Sequence, residues 1–165
     1  RDYKVTGVQT CALPISMVVD LLHEYNLRDR IKVIASGKLI NPGKVAWALS
    51  VGADFCTSAR GFMFSLGCIQ ALQCNKNTCP TGITTHDKDL QAGLVPAEKS
   101  ARVAAYARSV AHSVGIIAHS CGVPEPRGLE RHHMRVIENC ASSRSMAELH
   151  PVPPVRAEYA GAITN

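Results

Sequence analysis

Three thiols within one short run constrain this chain more than any other feature. Cys68, Cys74 and Cys79 are spaced C-x5-C-x4-C, with Pro80 directly after the last. An odd number of clustered cysteines does not suit a disulfide framework. Soft thiolates held close together suit zinc or an iron–sulfur cluster. Three ligands point to a cluster with three irons, or to a metal that finds its fourth ligand elsewhere. The simpler alternative makes the three cysteines small buried hydrophobes. It fits poorly with the polar stretch Asn75, Lys76, Asn77 and Thr78, whose composition is that of a loop.

The 165 residues allow one domain of ordinary size, and a hydrophobic fraction of 46% allows a real core. The net charge is +5, but the basic residues are scattered, so nucleic acid is not an expected partner. No apolar stretch is as long as a membrane span. Seven cysteines without a secretory signal, three of them clustered, point to a reducing compartment and to metal chemistry. A cytoplasmic protein is therefore expected, leaving open a membrane anchor upstream of this sequence.

Residues 1–16 show no helical or strand periodicity. The segment from Val5 to Ile15 resembles the conceptual translation of a sequencing adapter. Residues 1–16 are accordingly expected to lie apart from the native fold, the remainder being part of a longer protein. From Met17 to Leu27 the apolar spacing is helical, at 17, 18, 21, 22 and 25. Ile31 to Ala35 reads as a strand and Pro42 opens a second helix ended by Gly52. A further strand is expected over residues 54–58, and a third helix over residues 60–73. Alternating helices and strands with short connections imply parallel pairing. Pro96 opens a long helix to about Cys121, with an apolar stripe through Val103, Ala107, Val110, Val114 and Ile117. After residue 124, short helices are expected near 129–138 and 145–149, then an extended tail marked by Pro151, Pro153 and Pro154.

Two turns carry candidate chemistry. Ser36, Gly37 and Lys38 stand where one strand ends. Ser58, Ala59 and Arg60 stand where the next ends and a helix opens. Backbone N–H groups at a helix N-terminus, beside residues small enough for close approach, make an anion site. In a (β/α)8 barrel the phosphate site is built from the loops after strands seven and eight. Two successive turns of this type, with Gly52-Ala53-Asp54 between them, fit that arrangement. The expected fold class is α/β: residues 17–95 as the last βα units of a TIM barrel, and residues 96–165 as a helical extension and tail. His86 is a candidate fourth metal ligand that reads better as a surface residue. The pair His132 and His133 has no partner motif. Trp47 reads as helix packing and Cys56 as core.

The stretch from Val33 to about Gly93 resembles the C-terminal part of the synthase domain of FMN-dependent glutamate synthases. The resemblance runs through Ala35-Ser36-Gly37-Lys38, Leu49 to Asp54, Ser58-Ala59-Arg60 and Leu66 to Ile69. It continues through Cys74 to Ile83 and Thr85. It implies that Cys68, Cys74 and Cys79 bind a 3Fe-4S cluster. It implies that the backbone around Ser36, Gly37 and Lys38, and around Ser58, Ala59 and Arg60, receives the phosphate of FMN. The chain departs from the pattern twice: Ser36 replaces the first glycine of a Gly-Gly pair, and Thr57-Ser58-Ala59-Arg60 stands where Gly-x-Gly-Arg is common. The implied activity is reductive amination of 2-oxoglutarate to glutamate. The ammonia is free or glutamine-derived, and an electron-donor protein or an NAD(P)H-oxidising subunit is the implied partner. The substrate-contacting and catalytic residues are expected upstream, so this part alone is expected to be inactive. Two other readings remain: a zinc-binding module of Cys3His type using His86, and a phosphate-binding barrel without a flavin.

Overall fold

A computed structural model describes residues 9–139 and 142–161. Helix α1 spans Gln9–Glu24 and so begins before Met17, with Pro14 inside it. Its buried side also differs from the one the apolar spacing suggests. Met17, Val18 and Leu21 are exposed, whereas Val19 and Ser16 are buried, Ser16 to 1% exposure. Ile15 packs against the cluster of Ala35, Leu39, Ala48 and Ala53. The separation expected for residues 1–16 therefore does not hold at Ile15 and Ser16, and the part before Gln9 lies outside the described residues. The reason is geometric. Val19 sits so close to Gly52 that a Cβ there would lie 2.7 Å from Val19 Cγ1. Such an approach needs small residues, which a search for large apolar repeats passes over. Asn26, in left-handed backbone at φ 55, turns the chain out of the helix.

Strand β1, Ile34–Ser36, pairs in parallel with β2, Phe55–Thr57, with Ala35 opposite Cys56. Both strands are shorter than the expected spans. At the entry to β1, the Asp54 carboxylate accepts the Val33 N–H at 2.7 Å while Val33 C=O accepts the Asp54 N–H at 2.8 Å. A side chain thus supplies part of the pairing that a longer strand would make. Helix α2, Pro42–Ser50, joins the two strands. Proline occupies its first turn, and the Asn41 side chain accepts the Lys44 N–H at 3.0 Å. It is a two-faced helix. Ala48 faces the strands with Ala35 and Leu39, and Ala46 faces the cluster of Val114, Ala118, Val123 and Leu129.

Helix α3, Ala59–Leu66, follows β2 and stops well before residue 73. A long loop leads to α4, Lys88–Gln91, capped by Asp87, and then to α5, Pro96–Ser120. The stripe expected on α5 is real at its C-terminal half, where Val114 and Ala118 are buried against α2. Cys56 is half-buried beside the strand cluster, and Trp47 is half-buried on α2.

The region after residue 124 differs from expectation. Residues 129–138 are not a helix. A short 3-10 turn over Arg131–His133 leads into β3, Arg135–Asn139, antiparallel to β4, Ser142–Ser145. The β-branched pair Val136 and Ile137 suits a strand better than a helix. The expected helix at 145–149 is present as α6, Met146–Leu149, with Ser145 as its cap. The chain beyond it is extended but anchored. Arg156 bonds Glu24 through side chain and backbone, and the Tyr25 and Tyr159 rings stand 5.0 Å apart. Among the described residues, no helix is long and apolar enough to cross a membrane.

Candidate cofactor site

The cysteine loop starts from a backbone stop signal. Gly67 takes left-handed backbone at φ 104; its N–H donates to Phe64 C=O and the Cys68 N–H to Met63 C=O. This is a glycine C-cap, in which two orphan carbonyls of the last turn are satisfied by the residues leaving it. It ends α3 one residue before the first thiol, which corrects the expectation of a helix to residue 73. Ile69 and Leu72, within the span expected to be helical, are exposed, Leu72 to 83%. Gln70 and Leu72 both take left-handed backbone as the loop reverses.

Hydrogen bonds hold the rest of the loop. Cys74 opens a 3-10 turn over Cys74–Lys76, closed by Asn77 in left-handed backbone. The Thr78 hydroxyl donates to Gln73 Oε1 at 2.8 Å. Asn77 then ties the loop to the segment beyond it. Its C=O accepts the Thr85 hydroxyl, and its Oδ1 accepts the His86 N–H, both at 2.6 Å. Gly82 lies against Leu90 C=O so closely that any side chain would collide.

Cys79 is the most buried of the three thiols, 8% exposed, yet little protein lies over it, so burial raises its value only slightly. Thr81 Oγ1 stands 3.3 Å from Cys79 Sγ. The Thr81 hydroxyl first, then the Thr84 hydroxyl and the backbone N–H groups of both, hold the thiol down to about 6. Thr84 Oγ1 is itself buried without a hydrogen-bond partner of normal length, so a thiolate or a sulfide beside it answers an unmet need.

Cys68, Cys74 and Cys79 line one cavity of about 500 Å3, together with Ala59, Arg60 and Met63. The second phosphate-type turn and the cysteine trio thus share one space. Among the described residues no three His, Cys, Asp or Glu side chains converge as a closed metal site, so the thiols share a wall without meeting at a point. His86 is exposed and does not line the cavity. The donor set nevertheless fits an iron–sulfur group. Three soft thiols face one space, one is held toward its thiolate, and the Thr84 hydroxyl beside it has no hydrogen-bond partner of normal length.

The first turn sits beside the second, because Ser36 pairs with Thr57. Gly37 and Lys38 both have positive φ, at 118 and 54, and the turn is exposed at the strand end. Ser36, Gly37 and Lys38 are not part of the cysteine-lined cavity. Ser58 stands at the N-terminus of α3 but does not cap it; Ala59 and Arg60 form its exposed first turn. The first-turn N–H groups of such a helix lack internal acceptors and favour an anion. Gly52-Ala53-Asp54 lies at the opposite end of β2, away from both turns. There Asp54 serves structure: it pairs with Arg28 at 2.9 Å. Burial pushes its carboxyl up, but Arg28, the Val33 N–H and Lys32 outweigh this and hold it below the usual range. The cavity of about 450 Å3 at that end includes Arg28, Asp54 and Arg131, whose charges are already paired.

One residue of the site escaped sequence reasoning. Tyr106, on α5, reaches the second turn and the segment just past the first: its hydroxyl donates to Ile40 C=O at 2.7 Å and meets Ser58 Oγ at 3.0 Å. In sequence it is an ordinary polar-tipped aromatic beside an apolar stripe. The neighbouring glycine at 61, unexplained within a helix, was the available signal.

Residues 3–124 match the family model described as a conserved region in glutamate synthase. The chain belongs to the glutamate synthase family. It is 46% identical over 123 residues to the glutamate synthase large subunit-like protein YerD of Bacillus subtilis, which covers 74% of this chain and 23% of that protein. It is 30% identical over 115 residues to the archaeal glutamate synthase [NADPH] of Methanocaldococcus jannaschii, covering 67% and 22%. It is 35% identical over 80 residues to the ferredoxin-dependent glutamate synthase of Pyropia yezoensis, covering 48% and 5%. The chain therefore spans less than a quarter of the length of these relatives.

Proposed function

We propose that this chain supplies the cofactor-bearing end of the synthase barrel of a glutamate synthase. In this reading β1 and β2 are consecutive strands of a (β/α)8 barrel. Their parallel pairing, with both turns at one end, supports it. The turn at Ser36, Gly37 and Lys38 and the turn at Ser58, Ala59 and Arg60 hold the phosphate of FMN. Cys68, Cys74 and Cys79 hold a 3Fe-4S cluster. When bound, the pair would supply electrons for the reductive amination of 2-oxoglutarate by ammonia, free or released from glutamine. The protein residues here position and tune. The α3 N-terminus and Arg60 favour an anion, and Thr81 and Thr84 favour thiolate at Cys79. The electrons come from a donor protein or an NAD(P)H-oxidising subunit, and the site works in the cytoplasm.

The observation that carries the reading is the shared cavity, in which Ala59 and Arg60 face the same space as the three thiols. Such an arrangement holds an electron relay close to a phosphate-anchored acceptor. The test is anaerobic reconstitution with iron and sulfide, read by visible absorbance and electron paramagnetic resonance. A brown protein with a three-iron signal, lost in Cys74→Ser, is expected. A colourless protein that takes up one zinc and needs His86 would replace this reading with the Cys3His module. A whole barrel takes about 250 residues, so turnover is expected of the longer protein and not of these 165 residues.

A further inference from the structure

The geometry points to Tyr106 as the positioning residue that sets the spacing between the two phosphate-type turns. This inference rests on the proposed phosphate site and adds to it a residue from outside both turns. A single hydroxyl has two partners. Tyr106 Oη donates to Ile40 C=O at 2.7 Å, two residues beyond the turn at Ser36, Gly37 and Lys38. The same oxygen lies 3.0 Å from Ser58 Oγ, in the turn after β2. A phenol has one proton. Since it goes to Ile40, the Ser58 hydroxyl must be the donor to Tyr106. The second turn and the segment leaving the first, already joined through the paired strands beneath them, are thus also tied through one phenol.

Two neighbours hold the phenol in place. Phe62 meets the Tyr106 ring edge-on, with centroids 5.1 Å apart. Gly61 leaves the room that the hydroxyl occupies: a Cβ there would overlap Tyr106 Oη and lie 2.6 Å from Ser58 Oγ. Glycine inside a helix lowers helix stability relative to alanine, and here the space it leaves is filled by this contact.

The arrangement also assigns Ser58. Its proton is committed to Tyr106, so its oxygen presents only acceptor lone pairs and does not donate to a phosphate. Anion binding at this turn falls to backbone N–H groups and Arg60. Ser58 and Tyr106 therefore act as one unit, and their substitutions should not add.

The experiment is amide NMR of this 165-residue chain, with oxidised FMN, riboflavin and inorganic phosphate as probes. In the ligand-free chain, Tyr106→Phe should shift the amides of both turns together while leaving the thermal midpoint nearly unchanged. FMN affinity should fall about tenfold, the factor one neutral hydrogen bond of ordinary net strength carries. Riboflavin, which lacks the phosphate, should be unaffected. Ser58→Ala should give the same loss, and the double variant no more than either single one. Gly61→Ala should reproduce the loss although alanine favours the helix. Ligand-free shifts confined to one turn, or additive losses in the double variant, overturn the tie. If FMN moves no turn amide in the unsubstituted chain, the phosphate reading falls instead, and the ligand-free shifts alone decide whether Tyr106 links the turns.

Discussion

Arg131 Nη2 lies 2.6 Å from Asp20 Oδ1, joining the region beyond residue 124 to the first helix. The guanidinium is 6% exposed and also donates to His150 C=O at 2.8 Å. A charge this buried has no cheap alternative partner. The C-terminal extension is therefore bound into the fold, and the same helix end receives Arg156 on Glu24. The two contacts differ in worth. Arg156 is exposed, where ion pairs contribute about 0–1 kcal/mol. Arg131 is not.

Asp20→Asn should destabilise the chain by about 3 kcal/mol, because Arg131 keeps its charge without its counter-ion. Glu24→Gln should cost a small fraction of that. Replacing both members of the buried pair, Arg131→Met with Asp20→Leu, should recover most of the loss. Urea unfolding of the three variants measures this, and equal losses for Asp20→Asn and Glu24→Gln would contradict it.

Asp54 fixes the entry to both strands and should set the acid limit of stability. Its folded-state value lies below the ordinary 3.8. A depressed carboxyl contributes stability above its unfolded value, and that contribution is lost as pH falls through the folded one. Asp54→Asn should cost about 2 kcal/mol near neutrality. The difference from the unsubstituted chain should shrink below about pH 4. Denaturation midpoints taken from acid to neutral pH provide the check, and a pH-independent difference would show that packing, not charge, explains the loss.

Much of this fold could be read from spacing alone, and the failures have separate physical causes. The parallel strands, the helix opened by Pro42 and the long helix from Pro96 follow from periodicity and caps, which are local. The reading failed at α1, where a close tertiary approach decided the outcome, and at Gly67, where one backbone angle did. Val19, not Met17 or Leu21, is buried because Gly52 admits it. Gly67 reads in sequence as one residue in a continuing apolar stripe, and only its positive φ makes it a stop. For the candidate site, the cysteine spacing was legible because clustered thiols stand out in composition. Tyr106 itself left none, since its partners lie far along the chain, and the only hint was a glycine at 61 inside a helix.

Gly67→Ala should test the stop signal directly. Its φ of 104 belongs to glycine, and a non-glycine residue in left-handed backbone costs about 1–2 kcal/mol. A Cβ there would meet nothing nearer than 3.9 Å, so the cost is backbone strain and not collision. The variant should lose that stability and move Cys68 relative to the other thiols, lowering the yield of iron–sulfur reconstitution. Full stability together with unchanged cluster yield would show that the glycine is dispensable.

Cys79 should be the thiol that makes the cavity ready for metal near neutral pH. Its value of about 6, against 9.0 for an ordinary thiol, arises first from the Thr81 hydroxyl and then from Thr84. A folded-state value depressed in this way means that the folded chain favours the thiolate. That stabilisation is present in full above the unfolded thiol range and disappears as pH falls through about 6. Metal binding requires thiolate, so between about 6 and 9 this site gives up fewer protons on loading than ordinary cysteines would. Thr81→Val removes the largest cause and should raise the Cys79 value. The metal-free chain should show an ultraviolet thiolate transition near pH 6 that is absent in Cys79→Ser and moves upward in Thr81→Val. Iron–sulfur loading of Thr81→Val should be poorer near pH 7 and approach that of the unsubstituted chain near pH 9. Loading that is equally reduced at both pH values would mean that Thr81 shapes the loop rather than the charge of the sulfur.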